Sequence, residues 1–307
     1  AYDIPKPQNT ELVVPTLLAW PHSAVITDLK SELWALTSGW RQKHAGSKVL
    51  YFEPAAAKGS VCWNALDEIR LDTEHEVGDV QNLATLIVDP DGKGLETHWQ
   101  KTSQALIVGV ILHALYKARA EGTTATLSVV DAMMADPNRG IGELWMEMIT
   151  YSHADGRNHP VVGSAARDML DRPEEEAGSV LSTAKSYLSL YRDPIVARNV
   201  SRSEFRIRDL MHHDSPVSLY IVTQPTDKAR LRPLVRVLVN MIVRQLADRV
   251  SFENGRPVAR YRHRLLMMLD EFPSLGKLDI MQESLGFLAG YGIKCYLICQ
   301  DINQLKS

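Results

Sequence analysis

The clearest chemistry in the chain lies in the seven residues from Leu265 to Glu271, LLMMLDE. Five apolar residues in a row make a buried strand. Such a strand is rigid, and it delivers the residues after it to the C-terminal edge of a sheet, where α/β proteins present their ligands. Those residues are Asp270 and Glu271, the pattern of a Walker B strand. In that reading Asp270 holds Mg²⁺, typically through water, and Glu271 polarises the water that attacks a phosphoryl group. The competing reading is a buried strand capped by two solvated acids, because so short a motif also arises by chance. A second apolar run, Lys294–Cys299, leads directly into Gln300. A neutral amide there can donate to a γ-phosphate or orient water, or it can simply cap the strand. The two runs together are more specific than either alone.

A phosphate site of this type normally opens with G-x-x-x-x-G-K-[ST] ahead of a helix, since glycines let backbone N–H groups fold around phosphates. Residues 1–11, AYDIPKPQNTE, contain no glycine, and Lys6 is followed by a proline that has no N–H to offer. Two explanations stand. Either conventional ATP binding is lost, or the loop is missing from this stretch and Asn9-Thr10-Glu11 resumes after it, which places Thr10 beside the phosphates.

Charge is unevenly distributed. Asp227–Arg264 carries ten Lys/Arg against three acids, a balance of +7. Such a segment can neutralise nucleic-acid phosphates, supply an arginine finger to a neighbouring subunit's nucleotide, or be no more than a solvated helix face with a basic hairpin. Between Glu68 and Arg192 the balance is instead 19 acids to 11 bases, or −8.

The elements that must position these groups emerge from periodicity. Ala24–Thr27 has the β-branched density of a buried strand, Ser31–His44 carries apolar residues at helical spacing, and Val49–Phe52 is a second short strand. That is a βαβ unit, which implies a parallel sheet covered by helices. From about Leu71 to Arg192 the apolar spacing is helical throughout. Strands return at Ser218–Thr223, followed by a helix from Ala229 to Arg249, the Leu265–Leu269 strand, a helix around Ile280–Ala289 and a strand at Lys294–Ile298. The expected architecture is one α/β domain interrupted by an all-α domain: residues 1–70 and 193–307 form the first, and 71–192 the second. Five tryptophans (Trp34, Trp40, Trp63, Trp99, Trp145) sit at core-like spacing and are assigned to packing.

Composition sets the outer bounds. With 307 residues, 34 Lys+Arg, 37 Asp+Glu and 45% hydrophobic residues, the chain is neither disordered nor a uniformly basic nucleic-acid coat. Three scattered cysteines exclude a disulfide scaffold, and Cys295 with Cys299 lacks the second pair a zinc site needs. No signal peptide opens the sequence, and the longest apolar run, Ala105–Leu115, falls short of the roughly 20 residues of a spanning helix. A soluble piece of something longer is expected, since the sequence starts mid-pattern and stops just after a strand.

These residues in order resemble the TraG/TraD family of type IV secretion coupling proteins, relatives of FtsK-like DNA translocases. The pieces that carry the resemblance are LVVPTLLAWPHSAVITDLKSELW at Leu12–Trp34, Trp63-Asn64-Ala65-Leu66, Ser182-Thr183-Ala184 with Tyr191-Arg192-Asp193-Pro194, then LDEFPSLGKL and CQDINQL. The resemblance implies a P-loop NTPase-like (RecA/FtsK-like) fold, mostly parallel sheet flanked by helices, with an inserted all-α domain. It also implies ATP and Mg²⁺ as cofactors, a homo-hexameric motor at the cytoplasmic face of the bacterial inner membrane, and membrane helices outside this sequence. Its partners would be DNA with its relaxase or relaxosome, or effector proteins, and components of the secretion channel. In the family the Walker A motif lies just before the LVVPTLL helix, so Gln8 falls at its Lys and Pro7 at its Gly. Three functions are open: an ATP-driven coupling motor using Asp270, Glu271 and Gln300, an ATP-inactive docking module that binds substrate proteins through the all-α domain, or a general DNA translocase.

Overall fold

The run SAVITDL forms the centre of the fold because its β-branched residues suit a strand covered on both faces. The computed structural model describes residues 9–247, 251–253, 256–258, 261–278, 280–281 and 285–299. Helix α1 (Asn9–Ala19) turns through Trp20-Pro21-His22 into strand β1 (Ser23–Leu29), followed by α2 (Glu32–His44) and β2 (Lys48–Phe52). A helical segment comes next: α3 (Glu76–Val88), α4 (His98–Glu121), α5 (Leu127–Ala135), α6 (Ile141–Thr150), α7 (Pro160–Asp171), α8 (Glu174–Tyr187) and α9 (Pro194–Asn199). Then α10 (Asp209–His212), β3 (Val217–Thr223), α11 (Lys228–Leu246), the small hairpin β4 (Ser251–Glu253) and β5 (Arg256–Val258), β6 (Leu265–Leu269) and β7 (Ile293–Leu297) complete the chain.

Five strands pair in the order β2-β3-β1-β6-β7, all parallel. The register sets Thr27 beside Leu269 and Asp28 beside Val222, so the C-terminal ends of β1, β3 and β6 come level. One face is covered by Val13 and Leu17 of α1 and Leu33 of α2, packed on Ala24, Ile26, Tyr220, Val222, Leu266 and Met268. Arg41 of α2 is fully buried beneath this layer. It donates to the Leu17, Trp20 and His22 carbonyls and to Ser218 Oγ, fastening the α1–β1 corner to the sheet.

The chain divides into two compact units, one formed by 1–61, 205–235 and 239–307 and the other by 62–204 with 236–238. Residues 62–70 and 193–204 therefore lie with the helices, outside the 71–192 span that periodicity suggests. The reason is local. Trp63 is fully buried, its N–H donates to the Asn199 carbonyl at 3.0 Å, and Asn64 Nδ2 donates to the Ala125 carbonyl at 2.8 Å. Of the helix expected around Ile280–Ala289, Ile280 and Met281 are helical and the Leu285 N–H donates to the Met281 carbonyl at 2.9 Å, after which 285–287 form a turn into a 3₁₀ segment, Leu288–Tyr291. Gly286, Gly290 and Gly292 suit that ending, since glycine weakens a helix by about 1 kcal/mol each. Of the tryptophans assigned to packing, Trp63 and Trp145 are buried, whereas Trp40 and Trp99 are 46% and 41% exposed.

The helical unit is built round α4, which begins with a capping box between Thr97 and Gln100 and ends at the left-handed Gly122. Its middle is buried on every side, from Leu106 to Ala114. Helices α4 and α7 meet at Gly109, where an added Cβ would stand 2.4 Å from the Ala165 Cβ. Inside lies a chain of imidazoles. His153 Nδ1 accepts the His159 N–H at 3.1 Å, so its Nε2 carries the proton and donates to His113 Nδ1 at 2.9 Å. His113 Nε2 in turn faces Glu147 at 3.2 Å. Burial pushes the His153 imidazole down to about 4, with His113 and His159 adding to the effect. Burial also lowers His113, partly offset by Glu147, and it opposes ionisation of Glu147, which Lys117 and Arg139 nevertheless hold at about 2.

These directions agree in sign. Below an imidazole's ordinary value of 6.5 the unfolded chain binds protons that folded His153 refuses, so stability falls as pH drops from 6.5 towards 4. Urea midpoints of residues 62–204 are expected to decline between pH 7 and 5, with a shallower decline in His153→Gln. An NMR titration should place the His153 midpoint near 4; a midpoint above 6 would refute the assignment.

Candidate functional site

Parallel strands whose ends come level leave a concavity at their C-terminal edge, and this one does so between β1, β3 and β6. The cleft opens to solvent and is lined by Thr27, Asp28, Thr223, Asp270 and Ser274, with Lys228 and Arg232 from the first turns of α11. Its lining thus combines two carboxylates and two cations. The same residue types serve a metal ion and a phosphate.

Asp270 sits where LLMML ends, 8% exposed. Its backbone carbonyl accepts from Thr27 Oγ1 at 3.0 Å, which ties β6 to β1, and its Oδ1 accepts the Glu271 N–H at 3.0 Å. Glu271 comes next in the left-handed region at φ 49°, uncommon for a residue with a side chain and concentrated at functional sites. That turn takes the chain out of the strand and sends the Glu271 carboxylate to Lys228, with which it forms an ion pair. Thr10 lies in the first turn of α1. Because α1 runs back across the face of β1, its first turn points towards the edge where the strands end. Gln300 lies outside the described residues.

Asp28 carries no role in the motif reading, yet it lies deepest in the cleft, at 1% exposure. Its Oδ2 accepts the Trp34 N–H at 2.8 Å, which satisfies the start of α2 where Ser31 makes no side-chain cap. Burial, reinforced by the charge of Asp270, raises its carboxyl to about 6 despite the N–H groups that favour the anion. Lys30 and Ser31 after it are both left-handed, at φ 76° and 63°. Ser31 Oγ bonds Tyr51 Oη at 3.0 Å, and that hydroxyl donates to Glu53, which also accepts from Gln224 at 3.0 Å. The signal for Asp28 was present in the sequence, since ITD ends a buried strand as MLD does. Nothing in the sequence marked Lys228 and Arg232 out from the other bases of the +7 segment. Of that segment, Lys228, Arg230 and Arg262 pair with acids and Arg236 is buried, so it is not one solvated stripe.

The family model described as "Type IV secretory system Conjugative DNA transfer" matches residues 9–307. The chain belongs to that family, the TraG/TraD coupling proteins. It is 82% identical over 296 residues to a conjugal transfer protein TraG of Escherichia coli, a match covering 96% of this chain and 47% of that protein. Protein VirD4 of Agrobacterium fabrum (strain C58 / ATCC 33970) is 28% identical over 96% of the chain and 41% of its own length. The chain therefore spans about half the length of the curated relatives it matches. Among solved structures, the plasmid coupling protein TrwB in complex with a non-hydrolysable ATP analogue superposes with a TM-score of 0.65 at 20% identity, over 96% of this chain and 61% of TrwB. TrwB with ADP and Mg²⁺ superposes at 0.53 with 19% identity, over 93% of this chain and 65% of TrwB. The fold of this coupling-protein chain is thus the P-loop NTPase-like α/β fold, a parallel sheet flanked by helices with an all-helical insert.

Proposed function

We propose that this chain is the engine and the recognition domain of an ATP-driven coupling protein, which recruits DNA with its relaxosome, or effector proteins, and delivers them to a type IV secretion channel. The observation that carries the reading is the cleft at the C-terminal edge of the sheet that Asp28, Asp270, Lys228 and Arg232 line, with Glu271 paired to Lys228 beside it. Two acids and two cations fit a magnesium nucleotide. Asp270 would hold Mg²⁺, and Lys228 and Arg232 would face phosphates; when bound, the metal neutralises phosphate charge. Glu271, one residue beyond Asp270, would take a proton from the attacking water. Gln300 would sense the γ-phosphate and Thr10 would neighbour it. TrwB, whose fold this chain shares, is described with an ATP analogue and with ADP and Mg²⁺, which supports the same cofactors here.

The sheet unit would be the nucleotide-binding domain and the helical unit the domain that recognises relaxase or effector proteins. No helix among the described residues is long and apolar enough to cross a membrane. Placement at the bacterial inner membrane and assembly into a hexamer are part of the proposal for the full-length protein.

The test is plasmid transfer by full-length protein carrying Asp270→Asn. Transfer is expected to fall by at least about 100-fold at unchanged protein level, the scale of losing a metal-holding carboxylate. Transfer at the parental frequency would overturn the reading.

A further inference from the structure

Asp28 and Asp270 leave neighbouring parallel strands at the same level. Thr27 pairs with Leu269, so the next residue on each strand is an aspartate, on backbones that neighbouring strands hold about 4.8 Å apart. Both line the cleft. Asp28 is nearly inaccessible, and only one of its oxygens is spoken for, by the Trp34 N–H. Its Oδ1 is buried without a hydrogen-bond partner, the one carboxylate oxygen so placed among the described residues. Buried polar atoms are normally satisfied, and an orphan of this kind calls for an absent partner.

The chemistry of that partner is constrained. Donor side chains are at hand in Lys228 and Arg232, but Lys228 is engaged by Glu271 and neither donates to Oδ1. Helix capping accounts for Oδ2 and leaves Oδ1 unexplained. Two carboxylates side by side repel, and that repulsion is relieved by a hard cation, which takes oxygen ligands and keeps much of its water. We infer that Asp28 is a second acidic residue of the divalent-cation site, its Oδ1 acting together with Asp270 either on the ion or on its bound water. This rests on the nucleotide reading of the cleft and adds to it a residue from the central strand, outside the Walker B pattern. Asp28 thereby has two duties, one per oxygen: Oδ2 fixes the start of α2, and Oδ1 serves the cation.

The experiment uses full-length protein and Asp28→Asn, which keeps an acceptor for the Trp34 N–H and removes the charge. Mn²⁺ binding is measured by electron paramagnetic resonance with and without ADP, and ADP binding is measured separately in chelator. Asp28→Asn is expected to weaken Mn²⁺ binding at least about tenfold, as loss of a ligating or supporting carboxylate does. ADP affinity in chelator and the thermal midpoint should be preserved. Wild-type Mn²⁺ affinity in the variant would mean that Asp28 is a helix cap only, and would overturn the inference. Loss of Mn²⁺ binding in a protein that binds no ADP would uphold the cation site and refute the nucleotide reading, and a wild type that binds neither would refute both. If Asp28→Asn fails to fold, Asp28→Ser supplies the neutral acceptor for the same measurement.

Discussion

Glu271→Gln in the full-length protein should cut the turnover of ATP by about 100-fold or more, the lower end of what a positioned general base contributes, while ATP binding survives. Position is the reason. Asp270 is anchored twice, by the Thr27 hydroxyl on its carbonyl and by its own bond to the Glu271 N–H, so the residue after it cannot drift. The left-handed backbone at Glu271 then fixes where its carboxylate leaves the strand. Glutamine keeps the shape and the hydrogen bonding but cannot accept a proton. Asp270, the carboxylate proposed to hold the metal, and the cations of α11 remain, so the effect is expected on kcat with KM nearly unchanged. The lost ion pair to Lys228 is partly exposed and contributes less than about 1 kcal/mol to stability. Steady-state hydrolysis with a fluorescent-nucleotide binding assay decides it. A variant that turns over at the normal rate would remove Glu271 from the chemistry.

Arg41→Met is expected to destabilise the sheet unit by about 3 kcal/mol or more, which for a marginally stable domain approaches failure to fold. Arg41 is fully buried and no carboxylate among the described residues pairs with it. Its partners are neutral: Ser218 Oγ at 2.6 Å, the Leu17 and Trp20 carbonyls at 2.7 and 2.8 Å, and the His22 carbonyl at 2.5 Å. Removing the guanidinium strands three carbonyls at the corner where α1 meets β1, each costing about 1–3 kcal/mol if buried and unmet. Against this, the cost of burying a charge disappears, and burial does depress the Arg41 pKa. Methionine roughly fills the volume, so the loss measures hydrogen bonding rather than a cavity. Arg41→Lys should rescue little, because one ammonium cannot reach a fork of four acceptors. Urea unfolding gives the number, and a loss below about 1 kcal/mol would show that the carbonyls find water instead.

Arg41 also shows where sequence reading stops. It stands in the last turn of α2 with Lys43 and His44, where bases commonly face solvent and complement the helix dipole. Only the fold reveals that this one points inward. The imidazole chain was hidden for a related reason: His113, His153 and His159 belong to separate segments and meet only when α4 packs with its neighbours. The strands, by contrast, were legible, because a parallel sheet buried on both faces leaves unbroken apolar runs. Leu265–Leu269 is observed with the limits its composition implies, and β1, β2, β3 and β7 each lie within a residue or two of expectation. Asp270 and Glu271 were legible for the same reason, being polar residues at the end of such a run. Asp28 met the same criterion, but its significance depends on the strand register, which no linear pattern states.

The two ends of the helical unit hold each other. Cys62 N–H donates to the Glu204 side chain at 2.6 Å, and the Glu204 N–H returns a bond to the Cys62 carbonyl at 3.0 Å. A segment whose exit and re-entry are hydrogen-bonded neighbours asks its host to close only a minimal gap, whatever lies between. A change of length between these two points therefore need not alter the gap that the rest of the chain has to close. If the helical unit recognises substrate and the sheet unit drives it, as proposed, the two tasks can evolve at different rates, like a coupling with a fixed flange and an exchangeable head.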